Sequence, residues 1–222
     1  MKLAIIGYGK MGQAVAKVAL DSGWSIVAKV EKGNDWNPND WGADIVFEST
    51  SPGSAVDNTL RCIKAGLPVV IATTGWHSRL SELEHSGGIV FYATNFSIGI
   101  HLMNHISKYM TRVMTQFAEY NVSIQEEHHT QKLDSPSGTA LTLSEVVKAA
   151  GVEREIKISA SRKDDVVGIH ELCWVSEVDE LVLRHKAMSR QGFALGAFQA
   201  LNWLLVKGSG VYTMNDMINE IR

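Results

Sequence analysis

Leu3-Ala4-Ile5-Ile6 runs without interruption into Gly7-Tyr8-Gly9-Lys10-Met11-Gly12, and this junction constrains the fold more than any other stretch of the chain. Four consecutive apolar residues suit a strand buried on both faces of a parallel sheet. The helix-like Gln13 to Leu20 follows, which completes the order strand, GxGxxG, helix. In that order the first glycine allows a tight turn, the second lets a pyrophosphate approach the backbone, and the third lets helix and strand pack closely. A second apolar strand, Ile26 to Val30, ends at Glu31, where a carboxylate would accept hydrogen bonds from an adenosine ribose. Together these features predict a Rossmann unit that binds a dinucleotide.

The strand and helix alternation continues. Asp44 to Glu48, Pro68 to Ala72 and Gly88 to Ala93 read as strands, with helices over Ala55 to Ala65 and near Arg79 to His85. Two strands end in small hydroxyl residues, at Ser49-Thr50-Ser51 and Thr73-Thr74-Gly75, as strand ends lining a nucleotide crevice often do. Lys32, directly after Glu31, is either a solvated lysine or a cation for the 2'-phosphate of NADPH, so NADH or NADPH is the expected cofactor. Trp36 and Trp41 lie in a polar, turn-rich loop and either cover the adenine or pack against the unit.

From about residue 98 the pattern changes. One long helix is expected over Ile100 to Tyr120, with Leu102, Ile106, Met110, Val113, Met114 and Phe117 at helical spacing. A short strand, Asn121 to Gln125, and a helix, Thr139 to Ala150, come next. Glu155 to Ser161, Gly168 to Ser176 and Glu180 to Lys186 alternate apolar and polar residues and read as antiparallel strands with one covered face. Gln191 to Lys207 is an apolar helix suited to packing back onto the first unit. The expected class is α/β: an N-terminal Rossmann dinucleotide-binding domain over residues 1–97 and 191–222, and a second α+β domain over residues 98–190.

Composition narrows the partners. A formal net charge of -3 over 222 residues offers no basic face, so no nucleic-acid partner is expected. No apolar run approaches the roughly 20 residues that span a bilayer, so no membrane partner is expected either. The apolar start is too short for a signal peptide, which points to a cytoplasmic protein. Cys62 and Cys173 lie far apart without CxxC spacing and read as buried small hydrophobes, with no metal site or disulfide.

The chemistry concentrates in Glu126-Glu127-His128-His129-Thr130-Gln131-Lys132-Leu133-Asp134-Ser135-Pro136-Ser137-Gly138-Thr139-Ala140. Histidine exchanges protons near neutrality, and Lys132 adds a second proton source or a carboxylate anchor. Pro136 forces a loop ahead of the helix, and Ser137 is a natural N-cap. Helix N-termini favour anions because their first N–H groups are unpaired and the dipole is positive there. Gly138 leaves room for a ligand at that end. Such a loop can bind two carboxylates and protonate something between them. Zinc is not expected, because the adjacent histidines have no further His or Cys at ligand spacing.

These fifteen residues resemble the signature E-x-H-H-x-x-K-x-D-x-P-S-G-T-A of the 4-hydroxy-tetrahydrodipicolinate reductase (dihydrodipicolinate reductase) family of lysine and diaminopimelate biosynthesis. The resemblance extends to Gly7 to Gly12, Glu31, Thr73-Thr74-Gly75, Asn95-Phe96-Ser97, His185-Lys186-Ala187 with Ser189-Arg190, and Gly210 to Met214, in family order. It implies that His128 gives and takes a proton, that Lys132 donates one, that His129 binds substrate, and that Gly138 and Thr139 bind a substrate carboxylate. On the cofactor side it implies Gly7, Tyr8, Gly9, Lys10, Met11 and Gly12, Glu31 with Lys32, Ala72, Thr73 and Thr74, and Ala93, Thr94, Asn95 and Phe96. It also implies a cyclic dicarboxylate substrate and a homotetramer. The chain departs from the family where Ala72 replaces a frequent Gly, Lys32 a frequent Arg, and Glu48-Ser49-Thr50 a frequent Asp-Phe-Thr. Two rival readings share the Rossmann features: a nicotinamide dehydrogenase for another imino or amino dicarboxylate, and a nucleotide-binding protein without turnover.

Overall fold

The apolar run that opens the chain becomes β1 (Lys2–Ile6), in which Leu3, Ala4 and Ile5 are fully buried. Burying side chains such as Leu3 and Ile5 contributes at most about 1.5–3 kcal/mol each. The computed structural model describes residues 1–220 and separates into two units: Met1–Ser97 with the chain from Gln191 onward, and Ile98–Arg190.

In the first unit β1 is joined by β2 (Ser25–Val30), β3 (Ile45–Glu48), β4 (Val69–Ile71), β5 (Ile89–Tyr92) and β10 (Gly210–Thr213). The order is β10-β5-β4-β3-β1-β2, and every pair is parallel. Helices lie on both faces. Ala55, Val56 and Cys62 of α2 (Pro52–Lys64) share one core with Ala4, Val46 and Val69 of the sheet. α1 (Lys10–Asp21) packs with α6 (Gln191–Leu204), and α6 also meets β4 and β5. A short α3 (Leu80–Glu84) precedes β5. The strand order reverses between β1 and β3, and in open α/β sheets ligands bind outside the carboxyl ends of the strands at such a point. Two elements follow α6 that the apolar pattern does not announce: edge strand β10 and α7 (Met214–Asn219), the latter started by a capping box between Thr213 and Asp216.

In the second unit β7 (Lys157–Arg162), β6 (Asn121–His128), β8 (Gly168–Val175) and β9 (Glu180–Ala187) form a sheet in that order. α4 (Ile98–Met114) and α5 (Gly138–Ala149) pack together, and Met103, Leu143 and Val147 share a core with Ile124, Leu172 and Trp174. Three expectations are corrected. The segment expected to be wholly antiparallel contains one parallel pair, β6 with β7, because α5 connects them as a crossover. β8 and β9 are antiparallel as expected. β6 runs on through Glu126, Glu127 and His128, because a central strand is held from both sides. The long helix ends at Met114, where tighter turns through Gln116 and Phe117 close it. Its buried line is Ile100, Met103, Ser107, Thr111 and Met114, while Leu102, Ile106 and Val113 face outward.

Candidate active site

The glycine loop has the geometry its sequence requires. Gly7 has φ +90°, and a Cβ there would lie 2.2 Å from the Ser49 carbonyl oxygen. A Cβ on Gly12 would lie 2.2 Å from the Gly7 carbonyl oxygen, so the third glycine lets α1 close onto the turn. Nothing lies within 4 Å of the Cβ position of Gly9, which leaves the backbone open to a ligand. A cavity of about 710 Å³ opens there, lined by Gly7, Tyr8, Gly9, Glu31 and Lys32, with Asn34, Trp36, Thr50, Ser51 and Asn58 completing its walls. Lys10, Met11 and Gly12 form the first turn of α1. The cavity, an open glycine backbone and a helix N-terminus fit a dinucleotide. Trp36 lines the cavity and also stacks on Trp41 at 5.3 Å, with the Arg61 guanidinium 4.1 Å above its ring.

The remaining cofactor candidates follow β4 and β5. Ala72, Thr73 and Thr74 come directly after β4, and Ala93, Thr94 and Asn95 after β5. None of them lines the 710 Å³ cavity. Phe96 is buried against Phe47 and Phe91, at 6.5 and 6.2 Å between ring centroids, so its side chain belongs to the core. Beneath these ends lies a residue whose role sequence reasoning did not assign. Glu48 is fully buried; it accepts from the Thr73 hydroxyl at 2.7 Å, from the Thr50 N–H at 3.1 Å and from the Thr50 hydroxyl. Burial pushes its pKa up against those hydrogen bonds. Glu48 thus ties the ends of β3 and β4 together.

In the second unit His128 closes β6 and is buried, 7% exposed, with Glu126 two residues earlier on the same inward line. His128 Nδ1 lies 3.3 Å from Glu126 Oε2. β7 and β8 add two groups that sequence reasoning missed. His170 reaches within 3.7 Å of Glu126 Oε2 and 3.3 Å of the Ser137 hydroxyl, and its ring meets that of His128 edge-on at 5.0 Å. Arg162 places Nη1 and Nη2 each 3.4 Å from Glu126 Oε1 and donates to the carbonyls of Lys132 and Asp134 at 3.3 and 2.5 Å. The one advance signal of either is alternation: residues in register with His128 on neighbouring strands share its face. Burial lowers the pKa of His128, with Lys132 and Arg162 adding to the effect and Glu126 opposing it. His170 is pushed down to about 4, by burial first and by His128 next. For Glu126, burial acts upward, but the Ser137 hydrogen bonds and the His128 and Arg162 charges outweigh it and hold the carboxylate low.

The loop after β6 returns to this cluster. Lys132 Nζ is held by both oxygens of Asp134 at 2.8 Å, and Arg190 lies 3.4 Å from His129 Nε2. Ser137 caps α5 by accepting from the Ala140 N–H at 3.2 Å. Gly138 is exposed at the helix start, with nothing within 4 Å of its Cβ position, and Thr139 is half-buried beside it. Glu126, His128 and His170 each bring one ligand-type atom within 4.8 Å of the others, a grouping that linear spacing hides because His170 comes from β8. The Arg162 guanidinium supplies positive charge at that carboxylate.

Fold and site together define the class: an oxidoreductase built on a Rossmann unit with a second α+β unit. Two family models match, dihydrodipicolinate reductase N-terminus over residues 1–96 and dihydrodipicolinate reductase C-terminus over residues 99–218. The chain belongs to the dihydrodipicolinate reductase family. It is 35% identical to the 4-hydroxy-tetrahydrodipicolinate reductase of Christiangramia forsetii, over 100% of this chain and 99% of that protein. It is 34% identical to the enzyme of the same name from Clostridium novyi, over 96% and 95%. Among solved structures, dipicolinate-bound dihydrodipicolinate reductase from a Paenisporosarcina species superposes with a TM-score of 0.80 at 22% identity, over 97% of this chain and 98% of that one. Aspartate dehydrogenase from Thermotoga maritima has the same fold at a TM-score of 0.52 and 18% identity, over 92% and 96%.

Proposed function

We propose that this chain reduces 4-hydroxy-tetrahydrodipicolinate to tetrahydrodipicolinate with NADH or NADPH and loss of water, in lysine and diaminopimelate biosynthesis. The observation that carries the proposal is the end of β6, where a buried His128, the Lys132 loop and the open start of α5 are held together by Glu126 and Arg162. Gly7 to Gly12 would hold the pyrophosphate, and Glu31 with Lys32 the adenosine ribose. Ala72 to Thr74 and Ala93 to Phe96 would border the nicotinamide end. When bound, the cofactor supplies a hydride from C4 of its nicotinamide.

The rest of the chemistry falls to this chain's own residues. Gly138 and Thr139 offer N–H groups to one substrate carboxylate, and His129 binds substrate beside Arg190. His128 and Lys132 together deliver the proton that quenches the negative charge left as hydride arrives. Residues 98–190 act as the substrate-binding and tetramerisation domain, and residues 1–97 with 191–222 as the dinucleotide domain. A homotetramer accords with the apolar residues Leu181 and Val182 exposed on β9 at 48% and 41%. A cytoplasmic location accords with the absence, among the described residues, of any helix long and apolar enough to cross a membrane.

The deciding experiment is a coupled assay with freshly generated hydroxytetrahydrodipicolinate and each cofactor in turn. Consumption of NADH or NADPH in step with product is expected. Failure with both, while the cofactors still bind, would refute the reading.

A further inference from the structure

The two oxygens of Glu126 have different surroundings. Oε1 accepts the Ser137 N–H at 3.0 Å and faces both terminal nitrogens of Arg162 at 3.4 Å. It is therefore tied to the start of α5 and to β7. Oε2 is buried without an aligned hydrogen bond, and so is Nδ1 of His128, yet the two atoms face each other at 3.3 Å. Buried polar atoms left unpaired are costly, and a small ring rotation would pair both at once. Catalytic hydrogen bonds are often loose before a ligand binds and tighten in the complex.

We propose that Glu126 is the positioning residue of His128, its Oε1 anchored by Ser137 and Arg162 and its Oε2 holding the imidazole by the Nδ1 edge. This rests on the reductase reading above and adds to it the group through which His128 is oriented. With Nδ1–H directed at the carboxylate, proton exchange is left to Nε2. When the imidazolium gives up its Nε2 proton, the N–H bond breaks toward the substrate, and the ring remains neutral with its Nδ1 proton against an ionised Glu126. The Nε2 edge has room because residue 168 is glycine: a Cβ there would stand 3.0 Å from Nε2. The other groups facing His128 are His170 from β8, Arg162 from β7, and Lys132 and Asp134 from the loop. Of these, only Glu126 and Asp134 favour the imidazolium.

The test is nitrogen NMR of the histidine rings in the wild-type chain, with the His128 signals assigned by their loss in His128→Asn, followed by the same titration in Glu126→Gln. The wild-type chain is expected to show neutral His128 as the Nδ1–H tautomer. In E126Q its pKa is expected to fall by about one unit or more, the effect of removing an opposite charge at this range. The alkaline limb of the kcat/KM profile is expected to move down with it. An Nε2–H tautomer in the wild-type chain would overturn the proposal without any variant, as would an unchanged pKa in a folded E126Q. Wild-type inactivity in the coupled assay would refute the reductase reading alone, since the ring titration needs no turnover.

Discussion

Replacing His170 by glutamine removes a buried imidazole that the fold keeps neutral, and the consequence for acid stability can be worked out. The pKa of His170 is pushed from 6.5 down to about 4. As pH falls below 6.5 the unfolded chain takes up a proton that the native chain refuses. The stability His170 allows is thus fully present above 6.5 and is lost as pH falls toward 4. The whole span corresponds to about 3 kcal/mol, of which about 2 kcal/mol is lost by pH 5. That is a large share of a typical net stability of about 5–15 kcal/mol. Urea unfolding at pH 7.5 and pH 5, at fixed protein concentration, measures it. Trp174 is buried in the core of the second unit and is the one tryptophan of residues 98–190, so variants retaining it alone report this unit by fluorescence. The wild-type chain should lose about 2 kcal/mol more than H170Q between the two pH values. Equal losses in both would refute the reasoning.

Three further outcomes follow from the geometry. Gly12→Ala puts a methyl group 2.2 Å from the Gly7 carbonyl oxygen, so NADH affinity by fluorescence titration should fall at least about tenfold, a loss of 1.4 kcal/mol. Lys32→Ala should lower kcat/KM with NADPH roughly tenfold by removing a charge-assisted contact, and change the value with NADH little. Leu143→Ala opens a hole in the core between α5 and the second sheet, where Leu143 is 1% exposed, and should cost about 2–5 kcal/mol in urea unfolding.

The parts legible in the sequence are those whose cause is local. β1, the glycine loop and α1 are set by adjacent residues, and Ser137 caps α5 as its place before Gly138 and after Pro136 requires. What escaped depends on register between distant segments. Arg162 reaches Glu126 because β7 pairs with β6 so that residue 162 stands beside residue 128. His170 arrives by the antiparallel pairing of β8, in which it stands opposite Glu126. Which side of α4 is covered was not legible either, because a helix with apolar residues on two faces, such as Met103 and Met114 on one and Leu102, Ile106 and Val113 on the other, does not declare which one the fold buries. β10 is four residues long at a sheet edge, too short for alternation to show.

The measurement that tests the central claim most directly is single-turnover reduction of hydroxytetrahydrodipicolinate by cofactor-saturated enzyme, comparing the wild-type chain with Lys132→Ala. Lys132 is held beside the cluster by Asp134, and the account makes it part of the proton delivery that hydride transfer requires. The variant should bind NADH normally, and its reduction step should slow by about two to four orders of magnitude. Near-normal turnover by Lys132→Ala would contradict the account.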